Sequence, residues 1–309
     1  MGESVCKETV CKKNIHSEET CQEQDLVVLR SLEEIEGIRN HWQNIHKNQH
    51  MPVVNSDIDR YLSVVTASDK PIDPFVMLHS EKGQPQSLII GRIVEMELAF
   101  GVGYKKIFKP SVRALSIIYG GIFGDLSADT CSVMFDKLLE ELKTKKIDSI
   151  VINHLPVDSP LFDIQKKKVS LFCRSHFPVI DIHWQTDIPE SVESFYSRIK
   201  SKHKREWRRA ERRLKEACGG NLEIKCFRAE TDLDYIVKTA CDITAKTYKD
   251  EIGIGIKDTP VIRNLLAQSA KDGRLRAYIL YIDGEPAAFE FGTDYEHTFF
   301  AEYVAYDPK

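Results

Sequence analysis

Apolar and polar positions recur along this chain in an order that occurs twice. In the first copy an apolar run leads into helix-spaced residues, and two strand patterns follow. Ser31 and Glu34 have the spacing of a capping box at a helix start, and Gly83 supplies the positive φ of a tight hairpin turn. These patterns predict strands and helices at 26–30, 31–43, around Ile58, at 74–79 and at 86–94.

The second copy repeats that order. Apolar residues at i, i+3, i+4 and i+7 from Leu233 predict a helix, and Thr231 with Asp234 repeats the capping spacing. Asp283-Gly284 between two apolar runs is a strong hairpin signal. The other predicted elements of this copy lie at 222–227, 259–272, 276–282, 286–293 and 298–306, and the helix from Leu233 extends at least to Ala240. Both hairpin turns read Gly-x-Pro, which favours a duplication over an accidental likeness of two α+β segments.

The first copy continues beyond its repeat. A strand at 113–120 runs through the glycines of 120–125 into a helix with Phe135, Leu138, Leu139 and Leu142 on one face, and a further strand follows at 148–155. A strand that passes through glycines into a helix start can hold an anion. The segment lacks the Walker and Rossmann spacings, so a plain tight turn remains the alternative.

Length and charge narrow the class of protein. A chain of 309 residues suits two domains, and its net charge of −4 does not suggest a general nucleic-acid binder. We find no transmembrane stretch and no apolar signal core, so a cytoplasmic protein with reduced thiols is expected. Cys6, Cys11, His16 and Cys21 match no common zinc spacing, and a disordered tail over 1–25 is favoured there.

A basic helix is predicted around Lys202–Leu214. Trp207, Ala210, Leu214 and Ala217 form one narrow apolar stripe. The rest of the helix is covered by Arg205, Arg208, Arg209, Arg212 and Arg213. Like charges at i, i+4 repel each other, which favours a compensating partner: a phosphate, an acidic glycan, RNA or the acidic helix at 31–38. A solvated face is the alternative.

Residues 191–309 resemble the GNAT superfamily of acyltransferases, and within it the FemAB-like and CelD/BcsL-like proteins. The resemblance rests on the basic RR-x-x-RR helix, the GRL entry, the DGEPAA hairpin and the final YDP. It implies an α+β fold of tandem lobes with mixed, mostly antiparallel sheets flanked by helices. The lobes are expected at 26–182 and 183–309, the second truncated after its fourth strand.

The resemblance also implies the co-substrate. It is acyl-CoA, such as acetyl-CoA, or aminoacyl-tRNA in the Fem branch, and no metal is expected. In such folds the pyrophosphate binds backbone amides of a loop after the fourth strand. No position of this chain can receive that role, so the cofactor-binding residues are unknown and a fragment or a degenerate second lobe is expected.

Acyl transfer needs a base for the nucleophile and a donor for the developing oxyanion. Glu302, on a strand that lines the cleft in the resembling folds, is the preferred catalytic base, and Glu290 is the second candidate. Arg205, Arg208, Arg209 and Arg212 are the predicted substrate-binding residues. A carboxylate paired with a basic residue is the structural alternative for Glu302.

Three functions follow from this reading. The first is an acyl-CoA-dependent N- or O-acyltransferase acting on an amine or hydroxyl, with a small molecule, a polysaccharide or an envelope precursor as acceptor. The second is a Fem-like aminoacyl-tRNA-dependent transferase, in which the arginine helix grips RNA. The third is a non-catalytic binding module with the same fold. No Fem-type coiled-coil hairpin is visible in the sequence, which favours acyl-CoA over tRNA.

Overall fold

The computed structural model is an α+β protein with two main sheets flanked by helices. It describes residues 24–97, 100–102, 105–174, 180, 182–217, 219, 221–251, 253 and 255–308. The predicted tail and its cysteines lie outside the described residues, except that Gln24 and Asp25 begin the first strand. None of the described helices combines the length and the hydropathy needed to cross a lipid bilayer.

The first lobe is built on a five-stranded sheet of order β1-β2-β3-β6-β7, in which only β6 and β7 are parallel. Its strands are β1 Gln24–Leu29, β2 Asp73–Glu81, β3 Gln84–Glu97, β6 Ser111–Gly124 and β7 Ser149–Ile152, with a separate ribbon of β4 Phe100–Val102 and β5 Lys105–Phe108. Its helices are α1 Leu32–Gly37, α2 Arg39–Lys47, α3 Ile58–Ala67, α4 Ala128–Lys143 and α5 Pro160–Lys168.

Both faces of the first sheet are covered. On one face α1, α2 and α3 bury Trp42 and Tyr61 against the strands, together with Ile118 of β6. On the other face α4 and α5 bury Met134 and Leu138. The polar atoms of these aromatic residues are satisfied, since Trp42 Nε1 donates to the Ser56 carbonyl over 2.9 Å and Tyr61 donates to the Gly91 carbonyl over 2.8 Å. The result is a three-layer lobe.

The second lobe is a four-stranded antiparallel sheet of order β11-β10-β9-β8 with its core on one face. Its strands are β8 Leu222–Phe227, β9 Leu275–Ile282, β10 Glu285–Tyr295 and β11 Thr298–Tyr306, and its helices are α8 Leu233–Thr244, α9 Tyr248–Glu251 and α10 Pro260–Lys271. Helices α8 and α10 bury Ile236 and Leu266 against Phe289 and Phe291. The opposite face carries Ile224 and Val304, both exposed.

The connection between the lobes contains two further helices, α6 Val192–Arg198 and α7 Ser201–Ala217. Neither helix has a buried residue. The sequence predicts α7 correctly. Trp184, which lies in the connection before α6, is 84% exposed. The capping box of Ser31 and Glu34 is confirmed. The second capping prediction is wrong, since a 3-10 turn at Glu230–Asp232 replaces the cap.

The two hairpins share their backbone in detail. The turn residues Lys82-Gly83 and Asp283-Gly284 all have positive φ, which suits a two-residue hairpin loop. In each lobe the first bulge lies three residues after the turn glycine. A second register shift occurs at Gly91 in β3 and at Gly292 in β10, each the eighth residue after its turn glycine. The predicted repetition of a strand, helices and two further strands is found in both halves, with three α-helices in each, among the described residues, instead of the predicted two.

Candidate functional site

The candidate site forms where β11 meets the first lobe, and a bulge in β11 positions its central side chain. Phe291 pairs with Tyr303 and Gly292 pairs with Ala301, so Glu302 is the extra residue of the bulge. A Cβ on Gly292 would lie 2.2 Å from the carbonyl oxygen of Phe300. The close strand approach therefore needs glycine. Bulges commonly re-aim a side chain, and here the Glu302 carboxylate lies on the helix side of the sheet.

The Glu302 carboxylate contacts residues of both lobes. One oxygen forms an ion pair with Arg60 of α3, and the other accepts a hydrogen bond from Thr293 Oγ1 of β10 over 3.1 Å. The side chains of Glu302 and Arg60 are only 15% and 12% exposed. Thr293 is fixed in turn by Ser269 of α10, whose Oγ lies 3.4 Å from Thr293 Oγ1. The carboxylate is thus held on both oxygens, with lone pairs left for a further donor.

A second polar group lies beside this one. The hydroxyl of Tyr295 donates to Asp57 Oδ2 over 3.0 Å and lies 3.2 Å from His46 Nδ1. Asp57 caps α3 by accepting from the backbone amides of Asp59 and Arg60. Burial, and then the nearby Asp57 charge, raise the pKa of Tyr295, while burial lowers the pKa of His46. Tyr295 and His46 are therefore neutral at pH 7, and the cap that orients Arg60 is anchored to the second lobe.

A small cavity lies between α3 and α10 at the junction. Its volume is about 10 Å³, room for about one water molecule. Polar side chains from both lobes converge on this space, and both partners of Glu302 are among them. The cavity is lined by Val54, Asp57, Arg60, Leu265, Gln268, Ser269, Asp272, Arg274 and Thr293.

The structure does not bring the other predicted site residues to Glu302. Glu290 lies on the exposed face of β10, opposite the face that carries Phe289 and Phe291. The predicted substrate-binding residues all lie on the exposed surface of α7, where no described contact joins them to the junction. These are Arg205, Arg208, Arg209 and Arg212. Their roles remain predictions.

The glycine segment 120–125 does not fit an anion site. A Cβ on Gly120 would lie 2.5 Å from Val53 Cβ, and one on Gly124 would lie 2.2 Å from the Gln86 carbonyl oxygen, so these glycines are needed for packing. The amide of Asp125 donates to the same Gln86 carbonyl over 3.0 Å, and at the start of α4 the amide of Thr130 donates to the Ser127 hydroxyl. The tight-turn alternative is not found either, because the residues up to Gly124 belong to strand β6.

Sequence reasoning missed the contribution of the first lobe. Arg60, Asp57 and His46 lie far from Glu302 along the chain, and no local pattern marks them. A signal did exist for the bulge: both hairpins read Gly-x-Pro followed by five residues and a second glycine, as in Gly83…Gly91 and Gly284…Gly292. That spacing would have predicted the close strand approach beside Glu302.

Comparison with known families finds one family model that matches the C-terminal region. Residues 201–309 match the family model described as an acetyltransferase (GNAT) domain. The match begins at α7 and extends through the second sheet, so it contains Glu302 and its bulge. This region is therefore similar to GNAT acetyltransferase domains over about a third of the chain. A search of curated proteins gives no match.

Solved structures with similar folds include three bacterial proteins. A conserved protein of unknown function from Bacteroides thetaiotaomicron is 14% identical, with a TM-score of 0.46, covering 88% of this chain and 78% of its own. A GNAT family acetyltransferase from Staphylococcus aureus is 11% identical, with a TM-score of 0.30, over 53% and 98%. A structure described as a predicted acetyltransferase with acetyl-CoA, from Clostridium acetobutylicum, is 13% identical, with a TM-score of 0.31, over 52% and 96%.

Proposed function

We propose that this chain is an acyltransferase that moves an acyl group from acyl-CoA to an amine or hydroxyl, with Glu302 as the general base. The observation that carries the proposal is the bulge in β11. It places a carboxylate within the GNAT-matched region and holds both of its oxygens in a mostly enclosed position. A base must be held at a fixed place to accept a proton in the transition state. Glu302 meets that requirement better than the exposed Glu290, which we keep as the second candidate.

In the proposed reaction Glu302 accepts the proton of the acceptor amine or hydroxyl. The nitrogen or oxygen then attacks the carbonyl carbon of the thioester, and the carbon–sulfur bond breaks. The thiolate leaves and receives the proton from Glu302, which restores the starting state. No covalent enzyme intermediate is needed, so no nucleophilic serine or cysteine is required.

Arg60 acts in this scheme as a positioning residue from the first lobe. Its guanidinium fixes one oxygen of Glu302, and its backbone amide is fixed by Asp57. An arginine fork holds a carboxylate in a defined orientation better than a lysine does. The first lobe is then part of the active site. The arginines of α7 are proposed to hold an anionic group of the acceptor, such as a polysaccharide or envelope precursor.

The experiment compares Glu302→Gln with Glu290→Gln. Release of free thiol from acetyl-CoA is followed with a panel of amine and hydroxyl acceptors. Loss of a general base costs about 10²–10⁴-fold in rate, so the Glu302 variant should lose at least about 100-fold in kcat while the Glu290 variant changes little. Circular dichroism checks that both variants fold. Full activity of the Glu302 variant, or activity with aminoacyl-tRNA in place of acyl-CoA, would contradict the proposal.

A further inference from the structure

Helix α7 carries a charge opposite to that of the rest of the chain. It contains eight Lys and Arg against three Glu, a net charge of +5, whereas the whole chain carries −4. None of its seventeen residues is buried. The helix therefore adds nothing to either core, and its sequence is not explained by packing inside the lobes.

Most of these cations have no acidic partner among the described residues. Glu211 pairs with Lys215 over 2.7 Å and Glu216 with Arg212 over 3.6 Å, both within the helix. No ion pair in the described part of the chain joins α7 to the acidic helix α1. Arg208 interacts electrostatically with Glu211 without forming an ion pair. The cations without an acidic partner there are Lys202, Lys204, Arg205, Arg209 and Arg213.

The apolar side of α7 is incompletely covered. Trp207 and Leu214 share an arc of about 80° with two alanines, and they remain 48% and 37% exposed. Phe195 of α6 stacks on Trp207, with ring centroids 6.3 Å apart and planes inclined by 17°. Val192, in the first turn of α6, is 65% exposed. The two helices thus present aromatic and aliphatic side chains together with the cations.

The partner that matches this combination is a bilayer rather than a nucleic acid. Arginine forks suit phosphate groups of either kind. A nucleic acid would neutralise the arginines but leave the apolar side chains in water, including Trp184 and Ile188 just before α6, which are 84% and 77% exposed. A bilayer interface accepts tryptophan and aliphatic groups while basic side chains reach the lipid phosphates.

We propose that α6 and α7 form a peripheral membrane-docking surface for anionic phospholipid. The lysines and arginines beside the apolar arc bind lipid phosphates, and Trp207 and Leu214 enter the interfacial region. This surface includes the α7 arginines that we proposed to hold an anionic group of the acceptor. In that respect the inference rests on the proposed function, and it identifies the anionic group as a phospholipid headgroup. Docking does not depend on acyl transfer, because it is measured without acyl-CoA or acceptor.

The experiment is co-sedimentation of the full chain with two kinds of vesicle. One is phosphatidylcholine alone, and the other is phosphatidylcholine and phosphatidylglycerol in equal parts. Binding to the anionic vesicles should weaken as salt is added, and Trp207 emission should shift to the blue. Each basic residue near such a surface contributes about 1 kcal/mol. Replacing Arg205, Arg208, Arg209 and Arg212 by Gln should therefore lower the affinity more than about 100-fold.

A matched control separates this surface from a general charge effect. Lys143, Lys145, Lys146 and Lys167 are exposed, lie away from α7 and have no acidic partner among the described residues. Their fourfold exchange for Gln changes the net charge equally and should leave binding intact. Trp207→Ser should reduce the emission shift. Equal binding to both vesicle types, binding of tRNA but not of vesicles, an equal loss in both fourfold variants, or no binding at all would overturn the proposal.

Discussion

The two lobes share one backbone device and use it for different purposes. In each, the eighth residue after the turn glycine is a glycine that faces a register shift in the neighbouring strand. The shift in β11 inserts Glu302 alone, whereas the shift in β6 is longer, because Ile89 pairs with Ile122 and Gly91 with Ile117. The residue that follows the glycine's partner is Ile118 in the first lobe and Glu302 in the second. Ile118 is 6% exposed and belongs to an apolar core, whereas Glu302 is ion-paired. The comparison teaches that a bulge can either fill a core or present a charge, depending on one side chain.

The lobes also differ in how their sheets are covered. The first sheet has helices on both faces, and the described second sheet has its core on one. Helix α3 of the first lobe packs against α10 of the second lobe at the junction, where the Ser63 hydroxyl donates a hydrogen bond to the side chain of Gln268. An isolated copy of either lobe would therefore lose contacts that the whole chain has.

Exchanging the two bulge residues tests the comparison most severely. Ile118→Glu places a carboxylate in an apolar core without a partner, and we expect it to lower the free energy of unfolding by about 3–5 kcal/mol. The reciprocal Glu302→Ile should cost less, about 2 kcal/mol, because it leaves Arg60 without its partner but buries no new charge. Urea unfolding measures both. Similar losses in the free energy of unfolding for the two variants would show that Ile118 and Glu302 do not have different roles at the two bulges.

The next largest loss of stability is expected from replacing the glycines opposite the bulges by alanine. Gly292→Ala brings a Cβ to 2.2 Å from a backbone oxygen, and Gly91→Ala brings one to 2.9 Å from side-chain methyl groups that can shift. We expect losses of about 3 and about 1 kcal/mol in the free energy of unfolding. Gly37→Ala, with nothing within 4 Å of the added Cβ, is the control and should be neutral or stabilising. A greater loss in the free energy of unfolding for Gly91→Ala than for Gly292→Ala would contradict this prediction.

The ion pair between the lobes should be worth more than one inside the first lobe. A double-mutant cycle with Arg60→Met and Glu302→Gln should give a coupling energy of about 1–3 kcal/mol. The same cycle on Arg113 and Asp73, which are 50% and 57% exposed, should give less than about 1 kcal/mol. Equal coupling energies would show that the junction does not shield its charges.

The smallest effect concerns pH and two buried histidines, His46 at the junction and His79 inside the first lobe. Burial lowers the pKa of both, so the unfolded chain takes up protons first as the pH falls through about 6.5. Stability is therefore complete above that pH and decreases below it. His46→Gln and His79→Gln should each flatten this decrease in urea unfolding followed against pH. A native state that gains stability on acidification would contradict the argument.

The sequence predicts local features well because their causes are local. The helix at α10 with Pro260 in its first turn and the Asp283-Gly284 turn depend on a few adjacent residues, and the structure contains both. The bulge at Glu302, by contrast, depends on the close approach of Gly292 on the neighbouring strand. The pairing of Arg60 with Glu302 links residues 242 positions apart. Such a contact depends on how the lobes pack, which no short pattern specifies.

The packing of α3 against α10 means that the lobes are joined twice, once through the peptide chain and once through side chains. Trypsin has many targets on the surface of α7, where no core residue would be disturbed by cleavage. A single nick there should leave two complementary pieces that migrate together in a native gel and separate under denaturing conditions. The same point in the chain is a natural place to divide the gene for a split protein whose halves reassemble.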